Sequence, residues 1–142
     1  MSAADFFDTN VLVYVFDDRE PRRAAIARDL LAHAQREQSA VISAQVVQET
    51  LNVLMRKLTP RMSTADARKV LGDVLVPLWR IHPSPALCAR GLDIQERYGL
   101  AFYDSLIVAA ALEGGCTRLL SEDMPQGQQV EGLRIENPFL GA

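Results

Sequence analysis

The run Phe6-Phe7-Asp8-Thr9-Asn10-Val11-Leu12-Val13-Tyr14-Val15-Phe16 sets a carboxylate among side chains that gain by leaving water. A carboxylate buried there without a counter-charge carries a large desolvation cost or takes up a proton instead. No Lys or Arg precedes Arg19, so the partner of Asp8 has to come from a distant part of the chain or from a bound cation.

The chain has 142 residues, enough for a substantial core, and is read as one domain spanning 1–142. Hydrophobic (49%) and charged (23%) fractions are those of an ordinary globular protein, not of a disordered or fibrous one. The longest apolar runs fall well short of a bilayer span and no basic leader opens the chain, which leads to the expectation of a cytoplasmic protein without a membrane partner. Cys88 and Cys116 have no CxxC spacing and are expected to be reduced, buried thiols. His33 and His82, the only histidines, are expected to be solvated and in a loop, respectively, which leaves little material for a zinc site or a Ser-His-Asp triad. The net charge of −3 decides little about nucleic acid, because committing four acidic side chains to a metal would turn −3 into +1.

The patterning predicts a strand from Ala3 to Asp8 and a helix from Asn10, capped by Thr9 or Asn10. A helix with one basic face (Arg22, Arg23, Arg28, Arg36) follows from Pro21 to about Gln38. Ala40 to Ser43 reads as a strand and Ala44 to Leu58 as a helix capped by Ser43. A helix from Ser63 or Thr64 to Val76 precedes a strand over Pro77 to Ile81. Ser84 to Tyr98 and Phe102 to Glu113 read as helices stopped by Gly99 and by Gly114-Gly115, and Arg118 to Ser121 and Leu133 to Ile135 as strands. Short apolar strands alternating with helices predict an α/β fold with a mainly parallel sheet of four to five short strands and helices on both faces. Ligands in such sheets bind beyond the carboxyl ends of the strands, where Asp8 and Ser121-Glu122-Asp123 fall.

Asp104 begins an apolar helix and shares a stripe with Ile107, Val108 and Ala111. A favourable interaction with the helix N-terminus is the plainer account of it. Glu49 aligns with Val46 and Val53 and is expected to be partly inward, against the plainer reading of a solvated helical Glu. Asp123 alone would read as a turn or cap. Taken together, these acids and Asp8 occupy positions that an α/β fold brings to one place. With no basic residue beside them they would repel unless a divalent cation intervened, and oxygen-only ligands suit Mg2+ or Mn2+. Such a site hydrolyses a phosphodiester or phosphomonoester. The absence of a Gly-rich phosphate loop disfavours a nucleoside triphosphatase.

Phe7-Asp8-Thr9-Asn10, Glu49, Tyr103-Asp104-Ser105 and Leu120-Ser121-Glu122-Asp123 together resemble the four acidic motifs of the PIN domain nucleases. The tail from Gly127 to Phe139 is similar to the ending of VapC-type toxins of bacterial toxin-antitoxin pairs. The resemblance implies a single PIN-like domain with Mg2+- or Mn2+-dependent endoribonuclease activity on RNA. It also implies a homodimer held inactive by a cognate antitoxin whose tail occupies the cleft. Carried onto this chain, Asp8, Glu49, Asp104 and Asp123 are the acidic positions, and Asn10 and Ser121 the polar positions that support them. Asp8 and Asp104 are expected to bind metal directly, with Glu49 and Asp123 acting through water. Glu122 departs from the pattern by placing a second acid beside Asp123. Arg22, Arg23, Arg28, Arg56, Lys57, Arg61, Arg68 and Lys69 read mainly as solvated helix faces, and none is assigned to RNA.

Three rivals share parts of this pattern. A haloacid-dehalogenase-like phosphohydrolase wants an acid where Asn10 stands and a downstream Lys, and a response-regulator receiver domain wants a Lys late in the chain, whereas none follows Lys69. A catalytically silent PIN-like domain that binds RNA or protein keeps the fold without the chemistry.

Overall fold

Three apolar strands carry the chain's acids to one edge: Asp5–Phe7 (β1), Ala40–Ser43 (β2) and Arg118–Leu120 (β4), with β1 in the middle and parallel to both neighbours. The computed structural model describes residues 5–142, so Ala3 and Ala4 of the expected first strand lie outside the described residues. Trp79–Ile81 (β3) extends the sheet beside β2, and Leu133–Glu136 (β6) and Gln129–Val130 (β5) extend it beside β4, giving the order β3-β2-β1-β4-β6-β5. Among the described residues five strands are parallel and only β5 runs antiparallel. The six strands exceed the expected number by β5, a two-residue strand that turns into β6 through Glu131 (φ 55°) and Gly132. A pairing that short leaves no alternating pattern to read.

Every residue of β1 and β2 is buried, which requires both faces of the sheet to be covered. The helices that do so are Thr9–Tyr14 (α1), Pro21–Glu37 (α2), Ala44–Arg56 (α3), Pro85–Tyr98 (α6) and Phe102–Glu113 (α7). Serine caps start α3 and α6: Ser43 Oγ, the cap expected from the sequence, accepts the Val46 N–H (3.4 Å), and Ser84 Oγ accepts the Leu87 N–H (3.0 Å). Gly99 closes α6 in the left-handed region, φ 72°. Between α3 and α6 the expected helix end is displaced. Thr64–Val70 (α4) runs through a π-helical segment, Leu71–Leu75, into Val76–Leu78 (α5), so the strand begins at Trp79 and not at Pro77. A proline ring clashes with the carbonyl four residues back in a regular helix, and the wider π turn just before Pro77 opens that space. Cys116 is buried as expected, Cys88 is exposed, and both are free. Among the described residues no helix is long and apolar enough to cross a membrane.

At the amino end of β1, Asp5 is 8% exposed and meets Arg118 from the neighbouring strand, Nε to Oδ1 and Nη2 to Oδ2 both at 2.8 Å. The parallel register places the two residues opposite one another. A bidentate pair of this kind is strong, and removing one partner strands a buried charge. Since Arg118 is partly exposed, Arg118→Met is expected to lower stability by about 1–3 kcal/mol, seen as a lower urea midpoint at unchanged slope.

Candidate active site

Strand order reverses at β1, with β2 and β3 to one side and β4, β6 and β5 to the other, and the crevice outside the carboxyl ends of β1 and β4 opens at that switch point. Asp8 lies at the end of β1 and is itself the N-cap of α1, which starts at Thr9: the cap is neither Thr9 nor Asn10. Its Oδ1 accepts the Thr9 N–H at 2.8 Å and its Oδ2 the Ser121 hydroxyl at 2.7 Å. The carboxylate is 8% exposed and neither partner is a cation. Burial therefore dominates and pushes its pKa up to about 6, opposed by the bonds from Ser121 and Thr9 and reinforced by repulsion from Glu49 and Asp123.

Glu49 is exposed, not partly inward as its helix pattern suggested. It still faces the crevice, because Thr9 Oγ1 donates to its Oε2 and Gln45 Nε2 to its Oε1, both at 2.9 Å. Asp123, also exposed, accepts from Asn10 Nδ2 at 3.2 Å, while Asn10 Oδ1 accepts the Glu122 N–H at 3.2 Å. One amide thus pins the loop after β4 with both of its ends. Ser121, fully buried, donates to Asp8 and accepts the Asp123 N–H at 3.2 Å. Asp104, half-buried in the first turn of α7, accepts no hydrogen bond among the described residues. Its pKa is raised by burial first and then by Asp123 and Glu49. A carboxylate serving only to satisfy a helix dipole would move the other way.

The second acid of the Glu122-Asp123 pair is distinguished by its neighbours. Glu122 accepts from the Tyr14 hydroxyl at 2.6 Å and from Arg23 Nε at 2.8 Å, and Arg23 also reaches Glu20 at 3.1 Å. The Arg23 guanidinium lies 5.8 Å from the centre of the Tyr14 ring. Glu122 is neutralised by this network, whereas Asp123 has no cationic partner among the described residues. From sequence, Thr9 is named only as a cap and motif residue and Arg23 only on a basic helix face, and Gln45 and Tyr14 are given no role. The i, i+4 spacing of Gln45 and Glu49 was a readable signal; the meeting of Arg23 with Glu122 was not.

All four acids line one groove of about 430 Å³ with Thr9, Asn10, Gln45 and Tyr103. Among the described residues no three Asp, Glu, His or Cys side chains converge tightly enough to hold an ion as they stand. Glu49 and Asp123 spend oxygens on Thr9, Gln45 and Asn10. In donor chemistry, however, the set fits a hard divalent cation: oxygen-only ligands, mutually repelling and free of cationic partners.

The folded protein binds the Asp8 proton more tightly than the unfolded chain does, at about 6 against 3.8. The stability this confers is fully present below pH 3.8 and lost as pH rises through 6. In chelator, Asp8→Asn is expected to be more stable than the parent at pH 7 by about 2 kcal/mol and to remove that part of the slope of melting temperature against pH. The amide oxygen can still cap α1.

The family model for the PIN domain matches residues 6–124. Ribonuclease VapC23 of Mycobacterium tuberculosis (strain ATCC 25618 / H37Rv) is 32% identical over 119 residues, which span 83% of this chain and 91% of that protein. Ribonuclease VapC7 of the same strain is 36% identical over 121 residues, spanning 82% and 79%. Among solved structures, a toxin-antitoxin complex from Klebsiella pneumoniae superposes with a TM-score of 0.66 at 19% identity, covering 96% of this chain and 98% of that one.

Proposed function

The chain belongs to the PIN domain family, and from that premise we propose that it is a VapC-type ribonuclease, the toxin of a toxin-antitoxin pair, hydrolysing RNA phosphodiester bonds in the carboxylate groove with Mg2+ or Mn2+. The observation that carries the reading is the groove itself: Asp8, Glu49, Asp104 and Asp123 come from four separate parts of the chain, meet in one groove, and have no cation among their hydrogen-bond partners. The relatives named ribonuclease VapC support the activity, and the superposition on a toxin-antitoxin complex supports the fold. We read residues 1–142 as one domain, a reading supported by β6 and β5, which lie beyond the matched residues and continue the sheet from β4. The protein acts in the cytoplasm as a homodimer, and a basic antitoxin segment laid in the groove would inhibit it by pairing with the same carboxylates.

Asp8 and Asp104, the two acids drawn furthest out of water, would hold the cation directly, and Glu49 and Asp123 would complete its surroundings through water. A bound divalent cation supplies counter-charge to phosphoryl oxygens and activates water for attack. Ser121 fixes the orientation of Asp8, while Asn10 holds Asp123 at the rim and Thr9 holds Glu49. Glu49 and Asp123, being exposed and neighbours of the buried pair, are placed to receive a proton from the attacking water.

Cleavage of RNA with Mg2+ or Mn2+ should fall by about 10²-fold or more in both Asp8→Asn and Asp104→Asn and vanish in excess chelator. Parental rates in both variants would remove the metal-site reading. Addition of Mg2+ is expected to raise the melting temperature of the parent, and Asp104→Asn without metal should be neutral or stabilising because it removes a repelling charge. Marked destabilisation would instead mark Asp104 as a structural cap.

A further inference from the structure

The groove has a direction. Thr9 of α1 bonds Glu49 of α3, and Arg19, beyond the end of α1, bonds Thr59, beyond the end of α3, through Nη1 at 3.4 Å. The two contacts are equally spaced along both segments, so α1 and α3 run side by side in the same direction. The wall on α3 is the stripe Gln45, Glu49, Val53 and Lys57, one residue per helical turn. At 1.5 Å of rise per residue this stripe is about 18 Å long, with the backbone of Lys57 about 12 Å beyond that of Glu49.

The ends of the stripe differ in chemistry. At the α3 start, Gln45 Nε2 donates to the Tyr103 carbonyl at 3.3 Å, and Tyr103, 67% exposed, is among the residues lining the groove. Phe102 packs edge-on against its ring, centroids 5.5 Å apart. At the other end stands Lys57, the only basic side chain lining the groove among the described residues. It is exposed and its ammonium makes no ion pair or hydrogen bond among them. Arg19, nearby, is committed to Asp17 at 3.1 Å and to Thr59. A cation meant to neutralise the carboxylates would contact them, and Lys57 contacts none.

We propose that the groove grips a single RNA strand on both sides of the carboxylates, with Lys57 taking a backbone phosphate away from the scissile bond and the Tyr103 ring stacking a base at the opposite end. The proposal rests on the ribonuclease reading above. An exposed aromatic ring can stack only a base already out of a duplex, which selects unpaired RNA. Lys57 contributes charge without reading sequence. The pairing resolves how an acidic groove holds a polyanion: attraction comes from the ends, and the repelling middle is left to the reacting phosphate and its cation.

The test separates binding from cleavage. A labelled, unstructured RNA is titrated by fluorescence anisotropy into Asp104→Asn protein with and without a second substitution, across a range of salt. Lys57→Met is expected to weaken binding and make the slope of log affinity against log salt shallower by about 0.7. Tyr103→Ala is expected to weaken binding roughly 5- to 100-fold with the slope unchanged, and Tyr103→Trp to restore it. In the protein with Asp104 intact, Lys57→Met should raise KM with little change in kcat. Both side chains are exposed, so parental melting temperatures will show that the variants are folded. RNA affinity and salt slope unchanged in both variants would overturn the proposal, as they would if the groove ends serve a protein partner only. Should the parent cut RNA while these variants bind it as the parent does, the two-ended grip falls and the ribonuclease reading stands. Failure of the parent to cut RNA overturns that reading instead.

Discussion

Asp8 is taken out of water without being given a cation. Three residues earlier on the same strand, Asp5 is equally buried and receives a bidentate guanidinium. The two ends of β1 thus treat the same functional group in opposite ways. At the amino end the charge is cancelled and the carboxylate becomes part of the frame. At the carboxyl end only a hydroxyl and an amide meet it, and the proton affinity of the group rises. The cost is supported by neighbouring strands, since Ser121 reaches Asp8 only because β4 lies directly beside β1. Removal of the cap, the serine or the register would each release the carboxylate to water.

The same selective neutralisation recurs one residue at a time in the loop after β4. Glu122 is absorbed by Arg23 and Tyr14, and Asp123 is held by a neutral amide. An arginine one position along, or a lysine in place of Asn10, would have quenched the groove. Charge in the crevice is therefore set as much by where α2 aims Arg23 as by the number of acids present. The formal net charge of −3 shows none of this.

Much of this was legible in the sequence because the signals were local. The buried strands, serine caps and glycine stops follow from residue types at fixed offsets, and the alternation of strand and helix was enough to bring Asp8 and Ser121 to a common edge. Failures came where distant partners or short pieces decided the outcome. Asp5 looked like part of an ordinary strand because Arg118 is far away in sequence. The cap of α1 falls earlier than expected because Asp8 serves both as cap and as groove carboxylate, and β5 is too short to show a period. Pro77 read as a strand residue because a π turn before it is invisible to a 3.6-residue template. Glu49 was judged by the apolar residues beside it, although α3 turns that face toward solvent at the crevice.

The amide of Asn10 carries a consequence for how such a groove can change over generations. Asn and Asp differ by a single base in their codons, so the exchange Asn10→Asp is always one mutation away. In this fold it would replace the Nδ2 donor, 3.2 Å from Asp123, with an oxygen bearing negative charge. The loop would lose its tether while the crevice gained a further acid. A second acid two residues after the first, the arrangement on which the rival phosphohydrolase chemistry depends, is thus a short step in the gene and a long one in the protein.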